Sequence, residues 1–320
     1  MTSGILIVSA CGKKADNGGD TDEIERQFLS IGTAPPGGAF FVVGSAIAEV
    51  VSANSITKGW QISTEATKGT QENIHRLDKG EIDFALANAA ITYFAVRGQK
   101  KWEKEYPIKT VMNLAPNIAF FITPTSSGIK TIEDLKGRRV VVGPAGAGFD
   151  HFIEPILAAH GIKYNDLRIL HDTQAGAVAL LADGSADAAF LGGAVPTASI
   201  TQACATQDIH FIPFEKQVVD HLIKQYGFFE KAIIPANTYK GHSESFDALN
   251  VGNMILVTSA ALKEDTVYFF TKTLFENALE VAEKHPAGKA INPTNAVRDM
   301  GTSFHQGAIR FYKEKGIWPK

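Results

Sequence analysis

The residue types best suited to chemistry are present in this chain but are not assembled into any familiar catalytic pattern. Nine histidines (His75, His151, His160, His171, His210, His221, His242, His285 and His305) are scattered, with no HExxH or HxH pair to hold a metal. There is no GxSxG elbow, and neither cysteine, Cys11 or Cys204, sits in a nucleophile motif. Cys204 falls in an Ala/Thr-rich helical stretch and reads as a buried structural thiol. Asp83 and Asp187 follow similar helix-stopping glycines and read as structural turn acids. No enzyme, metal or cofactor is expected.

The loops are more informative. Gly32-Thr33-Ala34-Pro35-Pro36-Gly37-Gly38, Ala66-Thr67-Lys68-Gly69-Thr70 and Gly143-Pro144-Ala145-Gly146-Ala147-Gly148 each follow a β-like run and open a helical one. The last has GxxGxG spacing where a dinucleotide site wants GxGxxG, and Pro144 lacks an N–H for a pyrophosphate. Free N–H groups at a helix start favour a carboxylate or phosphate. Tight turns and close helix–sheet packing would use the same glycines. Lys68 is the cation within these loops; it opposes its helix dipole, so a bound acid or solvent exposure must compensate.

These loops belong to elements that occur twice. The first copy reads as strand 27–31, helix 40–53, strand 60–63, helix 71–78 and strand 82–86. The second reads as strand 139–142, helix 149–160, strand 167–170, helix 175–182 and strand 186–191. Gly80-Glu81-Ile82-Asp83-Phe84-Ala85 matches Gly184-Ser185-Ala186-Asp187-Ala188-Ala189. Two α/β units with largely parallel sheets imply two lobes, with a ligand beyond the carboxyl ends of the strands. The expected class is an α/β, two-lobed, periplasmic-binding-protein-like clamshell of type II, with a hinge. Residues 28–120 plus 215–320 form the expected first lobe and 121–214 the second. A strand at 251–258 and long helices near 264–284 and 295–315 should return to the first lobe.

Composition agrees with a small ligand. Hydrophobic residues make up 45% and charged residues 20%, and the net charge of −3 implies no nucleic-acid partner. The apolar runs fall short of the roughly 18 residues of a membrane span. At the amino end, Val8-Ser9-Ala10-Cys11 looks like a lipobox followed by a polar tether, so residues 1–27 are expected to be leader and tether. Lipidation of Cys11 is the expectation; a chance apolar run with a buried thiol is the alternative.

Several collinear motifs carry a family resemblance. Residues 32–44 are similar to a GTGGxxGxYYxxG stretch, Thr67-Lys68-Gly69-Thr70-Gln71-Glu72-Asn73 to TGGSxEN, and residues 134–149 to DLKGKRVxVGxxGSGT. Residues 184–196 resemble GxxDAAFxxGGxP, and residues 305–316 resemble HPGAxRYYxExG. On these the chain resembles the TAXI family of TRAP-transporter solute receptors over about residues 28–318. The resemblance implies a periplasmic or membrane-tethered monomer. It would deliver a small carboxylate or amino acid, glutamate-like, to TRAP permease membrane subunits; a sensor role and an enzyme on the same scaffold are the alternatives. The expected ligand contacts are Thr33, Gly37, Gly38, Phe40 and Phe41, then Thr67, Lys68, Gly69, Thr70 and Asn88. Ala145, Gly146, Ala147, Gly148, Phe149, Gly193 and Pro196 complete the set. The chain departs from the family pattern at Phe40 and Phe41 (tyrosines), Lys68 (glycine), and Ala147 and Phe149 (serine and threonine). Those departures imply an acid with an apolar or aromatic portion.

Overall fold

The computed structural model describes residues 27–36, 38–55 and 59–319. Cys11, its leader and Gly37 lie outside them. The first repeat is β1 (Gln27–Gly32), α1 (Ala39–Ala53), β2 (Trp60–Glu65), α2 (Thr70–Asp78), β3 (Phe84–Asn88) and α3 (Ala89–Ala95). Strands β4 (Ile108–Asn113) and β5 (Ile118–Pro124) lead to the second: β6 (Arg139–Val141), α4 (Asp150–Ala159), β7 (Arg168–Leu170), α5 (Gln174–Ala182) and β8 (Ala188–Gly193). Then come α6 (Ala198–Thr206), β9 (Ile209–Ile212), α7 (Lys216–Gln225), β10 (Glu230–Ile234), β11 (Phe246–Asn250) and β12 (Met254–Ser259). The chain ends in α8 (Glu264–Glu276), α9 (Ala278–Lys284), α10 (Pro293–Ala296) and α11 (Gln306–Glu314).

Two sheets result, ordered β2-β1-β3-β12-β4 and β10-β11-β5-β8-β6-β7, with β9 also pairing β5. Each has a parallel trio, β2-β1-β3 or β7-β6-β8, flanked by an antiparallel strand that arrives from the other sheet: β12 in the first, β5 in the second. The sheets are therefore mixed, not largely parallel, because the strand that crosses between lobes runs back along the last parallel one.

The repeat holds to the level of register. Ile31 pairs with Phe84 and Val140 with Ala188, so Ser30 and Arg139 lie beside Asp83 and Asp187. Asp83 accepts from the Ser30 N–H at 2.8 Å, and Asp187 from the Arg139 N–H at 2.7 Å. Arg139 also donates its guanidinium to Asp187, which holds that carboxyl below its usual range. Both acids fasten neighbouring strands, as expected of turn acids.

Sheet membership moves the lobe borders. Strands β10 and β11 are hydrogen-bonded through β11 to β5, so residues 216–250 extend the second sheet instead of returning to the first at 215. The sequence crosses between sheets at 114–117 and again at 251–253. The expected helix over 295–315 is also broken. Only Pro293–Ala296 is helical before the chain extends, bridges Phe304 to Thr110, and restarts at α11. His305 caps that restart, accepting from the Gly307 N–H at 3.1 Å.

The crossings are held by buried asparagines. Asn250 Oδ1 accepts from the Asn117 N–H at 3.1 Å, and Asn250 Nδ2 donates to Asn253 Oδ1 at 2.6 Å. Asn253 Nδ2 donates to Asn113 Oδ1 at 3.0 Å, and Asn113 Nδ2 to Asn295 Oδ1 at 2.9 Å. Asn295 Nδ2 then donates to the Leu114 carbonyl at 2.7 Å. From the side, Asn88 Nδ2 donates to the Gly252 carbonyl at 2.9 Å. Gly252 has φ 105°, and a Cβ there would stand 2.7 Å from the Ala90 nitrogen, so the crossing requires glycine. Glu230 extends the chain of contacts, accepting from Asn250 and pairing with Arg298 across the two lobes.

A second contact joins the lobes away from these crossings. Phe94 of α3 packs on Phe228 and on the His151 ring of α4, and Trp102 stacks on the other side of His151 with centroids 5.5 Å apart. Lys101 pairs with Asp150 and Glu154, and Lys100 donates to the His151 carbonyl at 3.1 Å. Apolar residues of both lobes, among them Ile91, Phe94, Phe121, Phe152 and Phe190, belong to one continuous core.

Two outcomes follow from these contacts. Asn253→Ala leaves the buried Asn113 Oδ1 without a donor, while Asn250 keeps Glu230 and the Asn117 N–H, and should lower stability in urea unfolding by about 1–3 kcal/mol. Burial pushes the His151 imidazole down to about 4, and its Nδ1 has no partner among the described residues. The unfolded chain therefore binds a proton that the fold does not, and stability contributed by neutral His151 is lost as pH falls from about 6.5 toward about 4. His151→Phe should flatten the pH dependence of unfolding in that window by about one proton.

Candidate functional site

A cavity of about 260 Å³ lies between the two sheets, on the side where helices begin. The first lobe contributes the loop ahead of α1 (Ala34, Pro35, Pro36, Gly38) with Ala39 and Phe40, the start of α2 (Lys68, Gly69, Thr70), and Asn88. The second contributes Pro144, Phe149 and Phe152, the start of α5 (Thr173, Gln174, Ala175), Gly192 and Gly193, and the start of α6 (Ala198, Ser199, Gln202). Asn117, on the first crossing, forms part of the wall.

Helix starts therefore face this space from both lobes. Neither Gly38 nor Gly69 supplies a side-chain cap, and the first turns of α1, α5 and α6 hold no acidic residue. Among the described residues, the N–H groups of Ala39, Phe40, Gln174 and Ala175 have no hydrogen-bond acceptor. Lys68 is the one charged side chain in the lining. No described carboxylate lies within ion-pair distance of its ammonium, and only its backbone N–H is held, by Glu72 at 3.2 Å. Lys68 also borders an open groove with Glu72, Arg76 and Gly146, so it stands between the cavity and solvent.

The neutral polar groups divide into occupied and free. Gln174 Nε2 donates to the Gly192 carbonyl at 2.8 Å, and its Oε1 accepts from the Ser199 hydroxyl at 2.8 Å. The Thr70 hydroxyl accepts from the Asn88 N–H at 2.9 Å and keeps its own proton to donate. Asn88 lines the cavity, but its Oδ1 caps α3 through the Ala90 and Ile91 N–H groups while its Nδ2 holds the crossing. It is a capping residue, with no hydrogen-bonding atom left for a ligand.

Of the expected contacts among the described residues, Gly38, Phe40, Lys68, Gly69, Thr70, Asn88, Phe149 and Gly193 line the cavity and the others do not; Gly37 lies outside the described residues. Thr33 is fully buried, with its hydroxyl donating to the Glu65 carbonyl at 2.8 Å. Thr67 donates to the Thr33 carbonyl at 2.9 Å and accepts from the Gly69 N–H at 3.1 Å. Phe41 turns away along α1, and Pro196 is exposed. Ala145, Gly146, Ala147 and Gly148 close the mouth instead of lining it. The Ala147 carbonyl accepts from the Gln71 N–H at 3.4 Å, and Gly146 lies against the Lys68 stem. Gly69, at φ 125°, abuts Ala147 in the same seam.

Gln174, Ser199, Asn117 and Phe152 were not anticipated as site residues. A signal existed for Gln174: the spacing that relates Asp83 to Asp187 also relates Thr70 to Gln174, so the two occupy matched helix starts. Among the described residues no group of three His, Cys, Asp or Glu is placed to hold a metal, and no helix is long and apolar enough to cross a membrane. Cys204 is buried, which pushes its thiol up to about 11.

This arrangement is the clamshell of the type II periplasmic binding proteins. The Escherichia coli periplasmic aliphatic sulphonate binding protein SsuA superposes with a TM-score of 0.51 at 17% identity, covering 92% of this chain and 84% of that one. A protein from Bordetella bronchiseptica RB50 gives 0.55 at 17% identity, over 90% and 82% of the two chains. XAC2383 from Xanthomonas citri, solved bound to ATP, gives 0.52 at 9% identity, over 91% and 96%. Residues 31–316 match the NMT1-like family, and the chain belongs to it.

Removing the hydroxyl of Ser199 tests the inner wall. Ser199→Ala leaves Gln174 Oε1 with only the Gly192 N–H at 3.4 Å and should leave the unfolding free energy within about 0.5 kcal/mol of the parent, since Ser199 is only partly buried.

Proposed function

We propose that this protein is an extracytoplasmic receptor that captures a small organic acid or amino acid between its lobes and delivers it to a membrane permease. One observation carries the reading: among the described residues, helix starts of both lobes whose first N–H groups have no acceptor line a single cavity, and Lys68 is its one charged lining side chain. An anion there meets the positive ends of helix dipoles from both sides, each worth about 0.3–1 kcal/mol, more when partly buried. A similar fold serves SsuA, whose name specifies another acid, an aliphatic sulphonate.

The finer reading rests on the collinear motifs of residues 32–316, which favour a TRAP permease as the partner. It also includes a monomeric receptor anchored through a lipidated Cys11. Incorporation of labelled palmitate that disappears in Cys11→Ser would support the anchor; equal labelling of both proteins would remove it.

A thermal-shift series of glutamate, keto acids and dicarboxylates against uncharged sugars tests capture. A fitting acid at a hundredfold excess over Kd should stabilise by about 2.7 kcal/mol. Stabilisation by sugars with none by any acid would refute the proposal. Lys68→Ala should weaken the bound acid by roughly tenfold and leave the ligand-free midpoint unchanged.

A further inference from the structure

We infer that the ligand is a small anion with one acidic head group, an apolar body and no ammonium group. This narrows the acid-receptor reading of the same cavity and rests on it. Among the described residues the lining contains no aspartate or glutamate. The three nearest carboxylates in sequence are engaged elsewhere. Asp172 accepts from the Thr173 N–H at 2.6 Å, Asp150 pairs with Lys101 at 2.6 Å, and Glu72 accepts from the Lys68 N–H at 3.2 Å on the open-groove side. The ammonium of an amino acid would enter a site with no counter-charge and with Lys68 on its rim. An unpaired charge taken from water into such surroundings is strongly disfavoured.

The balance of donors and acceptors points the same way. Among the described residues, the Ala39, Gln174 and Ala175 N–H groups, the Thr70 hydroxyl and the Lys68 ammonium have protons to give. On the accepting side, Gln174 Oε1 is already taken by Ser199 and Asn88 Oδ1 by the start of α3, which leaves the neutral amide oxygens of Asn117 and Gln202, each beside an NH2 that donates. The site thus suits a group that only accepts, a carboxylate or a sulfonate.

Much of the remaining wall is apolar: Pro35, Pro36, Phe40, Pro144, Phe149 and Phe152 border the space, with neutral Asn117 and Gln202 among them. It would leave a second carboxylate, as in glutamate, against proline and phenylalanine. A cavity of about 260 Å³ has room for a body such as a short branched chain or one ring.

Matched ligands test this by isothermal titration calorimetry on the full chain. Isocaproate is leucine without its ammonium, and hydrocinnamate is phenylalanine without it. At least one of the two acids should bind about tenfold or more tighter than its amino-acid counterpart and than glutamate. Isocaproamide, which keeps the body and loses the charge, should bind at least about tenfold more weakly than isocaproate. Isopentanesulfonate identifies the head group: tighter binding than isocaproate assigns a sulfonate, weaker binding a carboxylate, and both support the inference. Leucine, phenylalanine or glutamate binding as tightly as the simple acids would overturn it and leave the acid-receptor reading intact. Binding of isocaproamide with no acid bound would overturn both.

Discussion

The architecture depends on how two buried crossings satisfy their polar groups. A chain that passes twice between sheets carries backbone amides outside either ladder, and unpaired buried amides are costly. The two crossings pair part of their backbone with each other, Leu114 N–H with the Met254 carbonyl and Val251 N–H with the Asn117 carbonyl. Asparagine side chains take up more: Asn250 accepts from the Asn117 N–H, Asn295 donates to the Leu114 carbonyl and Asn88 to the Gly252 carbonyl, while Asn253 links Asn250 to Asn113. An asparagine offers both donor and acceptor at one position, which an aspartate or leucine of similar size does not. The network fixes where the crossings run, and so which helix starts confront each other.

The duplicated unit explains why the cavity is rich in donors. Each copy ends a strand in a loop that opens a helix, and facing two copies brings together helix starts whose N–H groups have no carbonyl behind them. Fold symmetry therefore supplies an anion-favouring environment without a cluster of basic residues, consistent with a chain whose net charge is only −3. Chemical individuality then comes from where the copies differ. Lys68 has Asp172 as its repeat counterpart and Asn88 has Gly192, so one lobe brings a cation and an amide where the other brings a carboxylate turned into its own helix and a bare backbone.

Much of this was legible in the residues. The Gly-Asp pairs before β3 and β8 announced the repeat, and the apolar periodicity of residues 40–53 placed α1 within a residue of its start. What escaped was of three kinds. The assignment of 216–250 to the second sheet depends on long-range pairing of β11 with β5, which no local pattern records. The break after Ala296 depends on a bridge to β4, formed only once both segments are in place. The role of 145–148 was misread because a Gly-rich turn that lines a cavity and one that seals its mouth have the same composition; only the facing loop at 67–71 tells them apart. Asn88 was located correctly at a strand end, but its neighbours determine which of its atoms remain available.

The core shared between α3 and α4 bears on how affinity is divided. Separating these helices would expose Phe94, Trp102 and the His151 ring to water and part Lys101 from Asp150 and Glu154. The protein itself therefore supplies much of the attraction between its lobes on that side, whatever occupies the cavity. A cavity preorganised in this way diverts little of an occupant's interaction energy into bringing the halves together. More remains for discrimination among ligands, and a solute of only a few atoms can be held selectively.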